Sequence, residues 1–146
     1  DSPRTKVFTG FVSGREFELG DVRLEIGKTR LDWATVTMTC LDGAGFDKPG
    51  RILVAATGLI QNTGRTPEVL GENTITLGRD WGEPPILCEG IPMKIGLPEG
   101  VKAATVYPLD EAGNRREGFD VQAEGGRAVL DLGPHYRTLW YEVVVP

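Results

Sequence analysis

Several residue types that mark particular chemistries are scarce in this chain of 146 residues. It has one histidine and two cysteines, and its only serines are Ser2 and Ser13. A Ser-His-Asp nucleophile therefore has almost no candidates. His135 lies in a Gly-Pro-His-Tyr turn, where a surface histidine is the ordinary interpretation. Two cysteines and one histidine also give no zinc site with useful spacing. The sequence predicts no catalytic residue, no metal and no cofactor.

The chain also lacks a cluster of basic residues and a long apolar run. Its formal net charge is −5 and its basic residues are scattered singly. Phosphate binding needs a concentrated positive face, so we expect no nucleic-acid partner. No apolar stretch approaches the roughly 20 residues of a transmembrane helix, so we expect no membrane partner. Because the length suits a single domain and the first residue is Asp1, we expect residues 1–146 to form one domain that is either a mature product or a fragment of a longer protein.

The chain contains other reactive side chains, but their spacing in the sequence does not assign them to a site. Cys40 and Cys88 could form a disulfide in a secreted protein, or could be two buried thiols whose apolar surroundings keep them inert. Among the 21 acidic residues, spacing alone identifies no catalytic pair. Asp42 and Asp47 could supply oxygens to calcium, but their spacing does not match an EF-hand and an Asp-Gly turn is the commoner explanation. No phosphate-binding or dinucleotide-binding glycine motif occurs.

The regular features of the chain are short strands. Twenty glycines and ten prolines are spread along it at short intervals, and no segment shows a sustained helical period with a cap. Alternating apolar residues predict an all-β fold, an antiparallel β-sandwich that is jelly-roll-like or Ig-like. The predicted strands cover residues 6–12, 15–19, 22–26, 33–40, 52–58, 74–77, 86–89, 91–97, 101–108, 118–123, 127–132 and 138–145.

The most apolar segment, residues 52–56, predicts a central strand that is buried on both faces. The Asn62-Thr63-Gly64 sequence after it is typical of a turn, and residues 64–71 show no regular pattern. The central segment carries no polar side chain. It is therefore expected to support the fold, and other segments are expected to carry the function.

Aromatic residues on polar faces and in loops are the best functional candidates. Trp33 alternates with the apolar residues of its strand, and Tyr107 and Trp140 also lie opposite aliphatic faces, whereas Trp81 and Tyr136 are in predicted loops. Flat aromatic rings suit the C–H face of a pyranose, and neighbouring polar groups can hold its hydroxyls. The same rings could instead cover the edge of the core or pack on another domain, so both interpretations stay open.

Three stretches together resemble an accessory β-sandwich domain of multi-domain bacterial glycoside hydrolases. They are Ser2-Pro3-Arg4-Thr5 with Gly10-Phe11, then Leu41-Asp42-Gly43 followed by Arg51-Ile52-Leu53-Val54 through Asn62-Thr63-Gly64, and finally Thr138-Leu139-Trp140-Tyr141-Glu142. Trp81-Gly82 and Pro84 extend the likeness, which spans nearly the whole chain. Its motifs are strands and turns of the fold and include no catalytic signature.

This resemblance implies a secreted, non-catalytic module that follows a catalytic domain. The first expectation is a carbohydrate-binding module that recognises plant-type polysaccharide, with β-glucan favoured, through Trp81, Trp33, Tyr107, Trp140 and Tyr136. The alternative is a structural accessory domain that packs on the catalytic domain of the parent enzyme without binding sugar. A third hypothesis, a small hydrolase, predicts turnover of polysaccharide by the domain alone.

Overall fold

The computed structural model describes residues 1–12, 14–65, 68–72, 74–76 and 78–146. It is an all-β fold with antiparallel pairing, which confirms the predicted fold class. The strands are β1 (Thr5–Phe11), β2 (Glu16–Leu19), β3 (Val22–Ile26), β4 (Trp33–Cys40), β5 (Arg51–Thr57), β6 (Ile60–Thr63), β7 (Glu68–Gly71), β8 (Thr74–Thr76), β9 (Glu83–Cys88), β10 (Met93–Gly96), β11 (Ala103–Pro108), β12 (Phe119–Glu124), β13 (Arg127–Leu132) and β14 (Trp140–Val144). A 3₁₀ turn, Pro134–Tyr136, is the one helical element in the described ranges.

Ten strands form one strongly curved sheet in the order β1-β4-β5-β14-β11-β12-β13-β10-β3-β2. The first six form one layer and the last four form the other, with the β12–β13 hairpin joining the two layers. The rings of Phe8 on β1 and Phe17 on β2 lie 4.0 Å apart between centroids, which brings the two end strands together. The sheet is therefore nearly closed around its interior.

One hydrophobic core fills the space between the layers, and it follows the alternation of the sequence. Both layers contribute aliphatic residues at every second position, because successive side chains of a strand point to opposite faces. The predicted inward residues of β3, β4, β10 and β13 are all buried. Tyr141 is the largest buried side chain, and its hydroxyl donates a hydrogen bond to the Gly133 carbonyl over 3.1 Å.

The prediction for the apolar central segment is partly wrong. β5 is central, between β4 and β14, but it is buried on only one face. Ile52, Val54 and Ala56 enter the core, whereas Leu53 and Ala55 lie on the outer surface, where neighbouring side chains cover them partly. An apolar run cannot distinguish full burial from an outer face made of small residues.

The prediction for residues 60–88 is wrong in two places. Residues 60–63 are expected to end in a turn but form β6, which pairs with β9, and residues 68–71 are expected to be irregular but form β7, which pairs with β8. These four strands form an arm outside the ten-stranded sheet. Glycine-rich local sequence favours turns, but pairing outweighed it here, with a strand distant in sequence for β6 and with the next strand of a hairpin for β7.

Some predictions involve residues outside the described ranges, namely the turn at Ser13-Gly14, the irregular stretch at Thr66-Pro67 and the end of a strand at Leu77. Within the ranges that the structure describes, no helix is long and apolar enough to span a membrane.

Candidate functional site

An exposed aromatic pair lies at one end of the six-stranded layer. Phe11 on β1 is directly opposite Trp33 on β4 in the antiparallel register. Their rings meet edge to face, with centroids 5.1 Å apart. Phe11 is 64% exposed and Trp33 is 40% exposed, and the two side chains point away from the core. The strand alternation predicted the outward direction of Trp33, and the structure confirms it.

Trp140 lies on the same outer surface, further along the layer. Val7, Thr37, Ala55 and Trp140 form one row across β1, β4, β5 and β14. Trp140 is therefore two strands and four residues away from Trp33, which places their Cα atoms about 16 Å apart by ordinary sheet spacings. We call this outer surface of the six-stranded layer the aromatic face.

The surface between the two tryptophans is made of small side chains. Thr35, Thr37 and Thr57 occupy outward positions there, together with Ala55. The hydroxyl of Thr35 lies 2.8 Å from that of Thr9 on the neighbouring strand. Two large rings thus border an area where these outward side chains offer methyl groups and hydroxyls.

Tyr107 also points outward on this layer, but other groups cover its ring. The Arg115 guanidinium carbon lies 4.4 Å from the ring centroid, in cation–π geometry. On the ring edge, a Cβ at Gly118 would come within 2.6 Å of Tyr107 Cδ1 and Cε1, so the backbone of Gly118 lies against it. The structure therefore places Tyr107 in the predicted layer without leaving its ring free for stacking.

Glu142 organises the charged part of the aromatic face. It is opposite Leu53 on one side and Tyr107 on the other. Arg51 Nε donates to its Oε1 over 2.7 Å, and Arg115 Nε donates to its Oε2 over 2.6 Å. The hydrogen bond from Arg115, together with that from Arg51, lowers the pKa of Glu142 from 4.5 to about 2 against the opposing effect of burial. This carboxylate is therefore charged at neutral pH and fixes both guanidinium groups.

Tyr136 lies elsewhere, at the edge of the core. Its ring stacks on Phe119 with centroids 5.0 Å apart and planes 4° apart, and it meets Tyr141 edge to face at 5.8 Å. Burial raises the pKa of Tyr136. Phe119 is opposite the buried Val106, so Tyr136 packs from the inner side of the layer. The structure does not bring it to the aromatic face.

Trp81 is on the arm, between β8 and β9, and it is 64% exposed. Its backbone is fixed by a hydrogen bond from Asn62 Nδ2 to the Trp81 carbonyl over 2.6 Å. Gly82 follows it with a φ of 65° and no room for a Cβ, which would lie 2.6 Å from the Thr63 carbonyl oxygen. Trp81 thus belongs to a surface different from that of Trp33 and Trp140.

The arm exposes many other apolar side chains besides Trp81. Their exposed fractions range from 46% to 70%, and the residues are Ile60, Val69, Leu70, Ile75, Ile86 and Leu87. Short two-stranded pairings offer no core of their own, so these side chains are largely exposed in the described part of the arm. An apolar surface of this extent is typical of a contact with another protein surface.

The reactive side chains outside the aromatic face include two thiols and one imidazole. Cys40 and Cys88 are both free thiols, so the alternative of a disulfide is not found. Burial raises the pKa of the Cys40 thiol. His135 lies against the Tyr136 ring at 4.0 Å between centroids. No group of three potential ligands from histidine, cysteine, aspartate and glutamate could hold a metal within the described part of the chain.

The sequence interpretation missed Phe11 and the pair of arginines around Glu142. Phe11 is outward by the same alternation as Val7 and Thr9, so its direction was readable from its strand. Its position against Trp33 was not readable, because that requires the β1–β4 register. The chain matches no protein-family model, no curated protein and no solved structure.

Proposed function

We propose that this domain is a non-catalytic carbohydrate-binding module that recognises neutral plant-type polysaccharide, with β-glucan favoured. The observation that carries the proposal is the placement of Trp33 and Trp140 on one outer sheet face, with small hydroxyl-bearing side chains between them. The resemblance to accessory domains of secreted glycoside hydrolases supports the same function. The proposal ranks these two residues ahead of Trp81.

The chemistry of the aromatic face suits a neutral, extended sugar chain. A tryptophan ring offers a large, rigid apolar surface at low entropic cost, onto which the C–H face of a pyranose can pack. Threonine hydroxyls can donate or accept hydrogen bonds with sugar hydroxyls. A separation of about 16 Å between the two tryptophans lets each contact a different sugar unit of one chain.

Affinity electrophoresis across soluble polysaccharides tests the proposal. We expect a β-glucan to retard the wild-type domain. Trp33→Ala and Trp140→Ala should each weaken binding about tenfold or more. A tryptophan that becomes buried against a ligand on binding contributes roughly 1.5–2 kcal/mol or more. Trp81→Ala is the matched control, since it removes an equally large ring from a different surface, and it should retain the wild-type retardation.

Two results would contradict this proposal. The first is the absence of retardation by any glycan. The second is loss of binding in Trp81→Ala with normal binding in Trp33→Ala, which would move the site to the arm. Incubation of the pure domain with the same polysaccharides should release no soluble sugar. Turnover there would favour the hydrolase hypothesis instead.

The exposed apolar arm favours a second candidate, a structural accessory domain that packs on the catalytic domain of a parent glycoside hydrolase. In that case the arm would be covered in the longer protein. Ile86→Ser with Val69→Ser should weaken association with the catalytic domain supplied separately, and should leave glycan retardation unchanged. If that double variant associates as the wild type does, the arm is not the contact surface.

A further inference from the structure

A cavity of about 480 Å³ lies beside the base of the arm, at one end of the sandwich. Its wall comes from the β3–β4 connection, the start of the arm and the return of the arm into β10. The residues that the argument uses are Lys28, Arg30, Gln61, Cys88 and Glu89. The volume is within the range of small-molecule sites, and the lining combines apolar surface with a few polar groups.

Hydrogen bonds hold the wall of this cavity in place. Glu89 Oε1 accepts from the Arg30 backbone amide over 2.8 Å, and Glu89 Oε2 accepts from the Leu59 amide over 3.2 Å. One carboxylate thus joins three segments that are distant in sequence. Both of its oxygens already have fixed donors, so they are less available to a ligand.

The charge of the cavity is positive in a chain whose net charge is −5. The described residues provide no ion-pair partner for the side chain of Lys28 or of Arg30. A second cavity of about 350 Å³ adjoins the first, since Cys88, Gly90 and Pro134 line both, and it adds Arg137. Three cations therefore surround the two cavities, against the one carboxylate of Glu89.

One polar atom without a partner belongs to a residue of this wall, and a second belongs to a residue next to it in sequence. The described residues contain three buried side-chain nitrogen or oxygen atoms without a hydrogen bond, and two of them are Gln61 Oε1 and Thr29 Oγ1. Gln61 lines the cavity, and Thr29 stands between the two cations in sequence. Buried polar groups normally have a partner from the protein or from ordered water, so a group without one calls for an explanation.

We propose that this cavity binds the carboxylate of an acidic sugar, a uronate unit, as a site separate from the aromatic face. Lys28 and Arg30 would hold the carboxylate through charge-assisted hydrogen bonds, and Gln61 would meet a sugar hydroxyl after rotation of its amide. The inference rests on the proposed function only in taking the ligand to be a saccharide. A simple organic acid carries the same carboxylate, so the test separates the two sources.

Cys88 provides a direct readout of occupancy. Its free thiol is half-buried and lines both cavities, whereas Cys40 is buried in the core with a raised pKa and should react slowly. The rate of Cys88 alkylation by iodoacetamide is measured on the whole domain by mass spectrometry. The added probes are an oligogalacturonide, a neutral cello-oligosaccharide and acetate, at equal concentrations.

We expect the oligogalacturonide alone to slow alkylation, and added salt should weaken this protection. Lys28→Gln with Arg30→Gln should reduce the protective affinity about tenfold or more and should leave retardation by neutral β-glucan unchanged. Lys94→Gln is the control, since it removes an exposed lysine from β10 in the four-stranded layer. In this variant the oligogalacturonide should slow Cys88 alkylation as much as it does in the wild type.

Equal protection by the neutral oligosaccharide, or unchanged protection in the Lys28/Arg30 double variant, would overturn the carboxylate site. Equal protection of Cys88 by acetate would overturn the assignment of a saccharide as the ligand. The absence of protection by any of the three probes would overturn the proposed site as a whole. Because β-glucan retardation and its loss in Trp33→Ala are measured separately, failure of this site and failure of the aromatic face give different results.

Discussion

The outer faces of the two layers of this domain are built by the same alternation but carry opposite chemistry. The aromatic face presents Phe11, Trp33 and Trp140 with threonines between them. The charged face, which is the outer surface of β2, β3, β10 and β13, presents Glu16, Glu18, Arg23, Glu25, Lys94 and Asp131 at its exposed positions. Charged side chains are well hydrated and need no partner, whereas exposed tryptophans are typical of contact surfaces.

The two faces also differ in how they handle a carboxylate. Glu142 on the aromatic face is almost fully buried between two arginines. Glu25 on the charged face is exposed and is opposite Lys94 and Glu16 in the register. A buried, hydrogen-bonded carboxylate stabilises the fold, while an exposed one contributes little. This contrast leads to predictions of decreasing size.

The largest effect should come from the two glutamates. Glu142→Ala should lower the free energy of unfolding at pH 7 by about 2–3 kcal/mol, because it removes two charge-assisted hydrogen bonds and leaves Arg51 and Arg115 without this partner. Glu25→Ala should change it by less than about 0.5 kcal/mol, because surface substitutions of this kind are nearly neutral. Urea denaturation measures both. Equal losses in the two variants would remove the distinction between the faces.

Low pH should remove the stabilisation that the Glu142 carboxylate provides. The folded pKa of Glu142 is about 2 against an ordinary value of 4.5, so its contribution is complete above about pH 4.5 and is lost as the pH falls towards 2. Between pH 6 and pH 3 we expect a loss of about 2 kcal/mol from this group. Urea midpoints at several pH values measure it.

The control for the acid experiment is Glu142→Gln, which cannot titrate and should show a shallower acid limb than the wild type. Asp42 and Asp110 also have lowered pKa values, through backbone and side-chain hydrogen bonds in their loops, and both remain in this variant. An acid limb of unchanged steepness would mean that Glu142 does not contribute.

Tyr107 lies on the aromatic face, but we expect it to contribute to stability and not to glycan binding. Tyr107→Ala should lower the free energy of unfolding by about 1 kcal/mol, since it removes the cation–π contact with Arg115 and the packing on Gly118. It should leave β-glucan affinity within about twofold, or 0.4 kcal/mol. Affinity electrophoresis and urea denaturation give the two readouts. A glycan affinity reduced as far as in Trp33→Ala would make Tyr107 part of the platform.

The smallest effect should be on the charged face. Arg23 Nε lies 3.8 Å from Glu18 Oε1, and both side chains are more than half exposed. Arg23→Gln should change the free energy of unfolding by less than about 0.5 kcal/mol and should leave glycan retardation unchanged. A loss near that of Glu142→Ala would show that this face has a stabilising role of its own.

Some parts of the fold could be predicted from the sequence and others could not, for a physical reason. The strands of the main sheet could be predicted because alternation is local, and β3, β4 and β13 have the predicted bounds. In the arm, strands were predicted at 74–77 and 86–89, near β8 and β9, but β6 and β7 were not. The pairing of β6 with β9 could not be predicted, because β7 and β8 separate them and local sequence does not encode that contact. The outward direction of Trp33 and Trp140 was predictable, but the covering of Tyr107 depended on Arg115, which lies in a different segment.

The sequence by itself determined the all-β class, the inward and outward faces of strands such as β3, β4 and β13, and the scarcity of candidate residues for a nucleophile triad. These follow from residue type and a period of two, which act within a few residues. Only the tertiary structure decided which aromatic rings share a surface, since register sets Phe11 against Trp33 and places Trp140 in the same layer. It also decided that Glu142 is held by Arg51 and Arg115, because burial and charge pairing arise where distant segments meet.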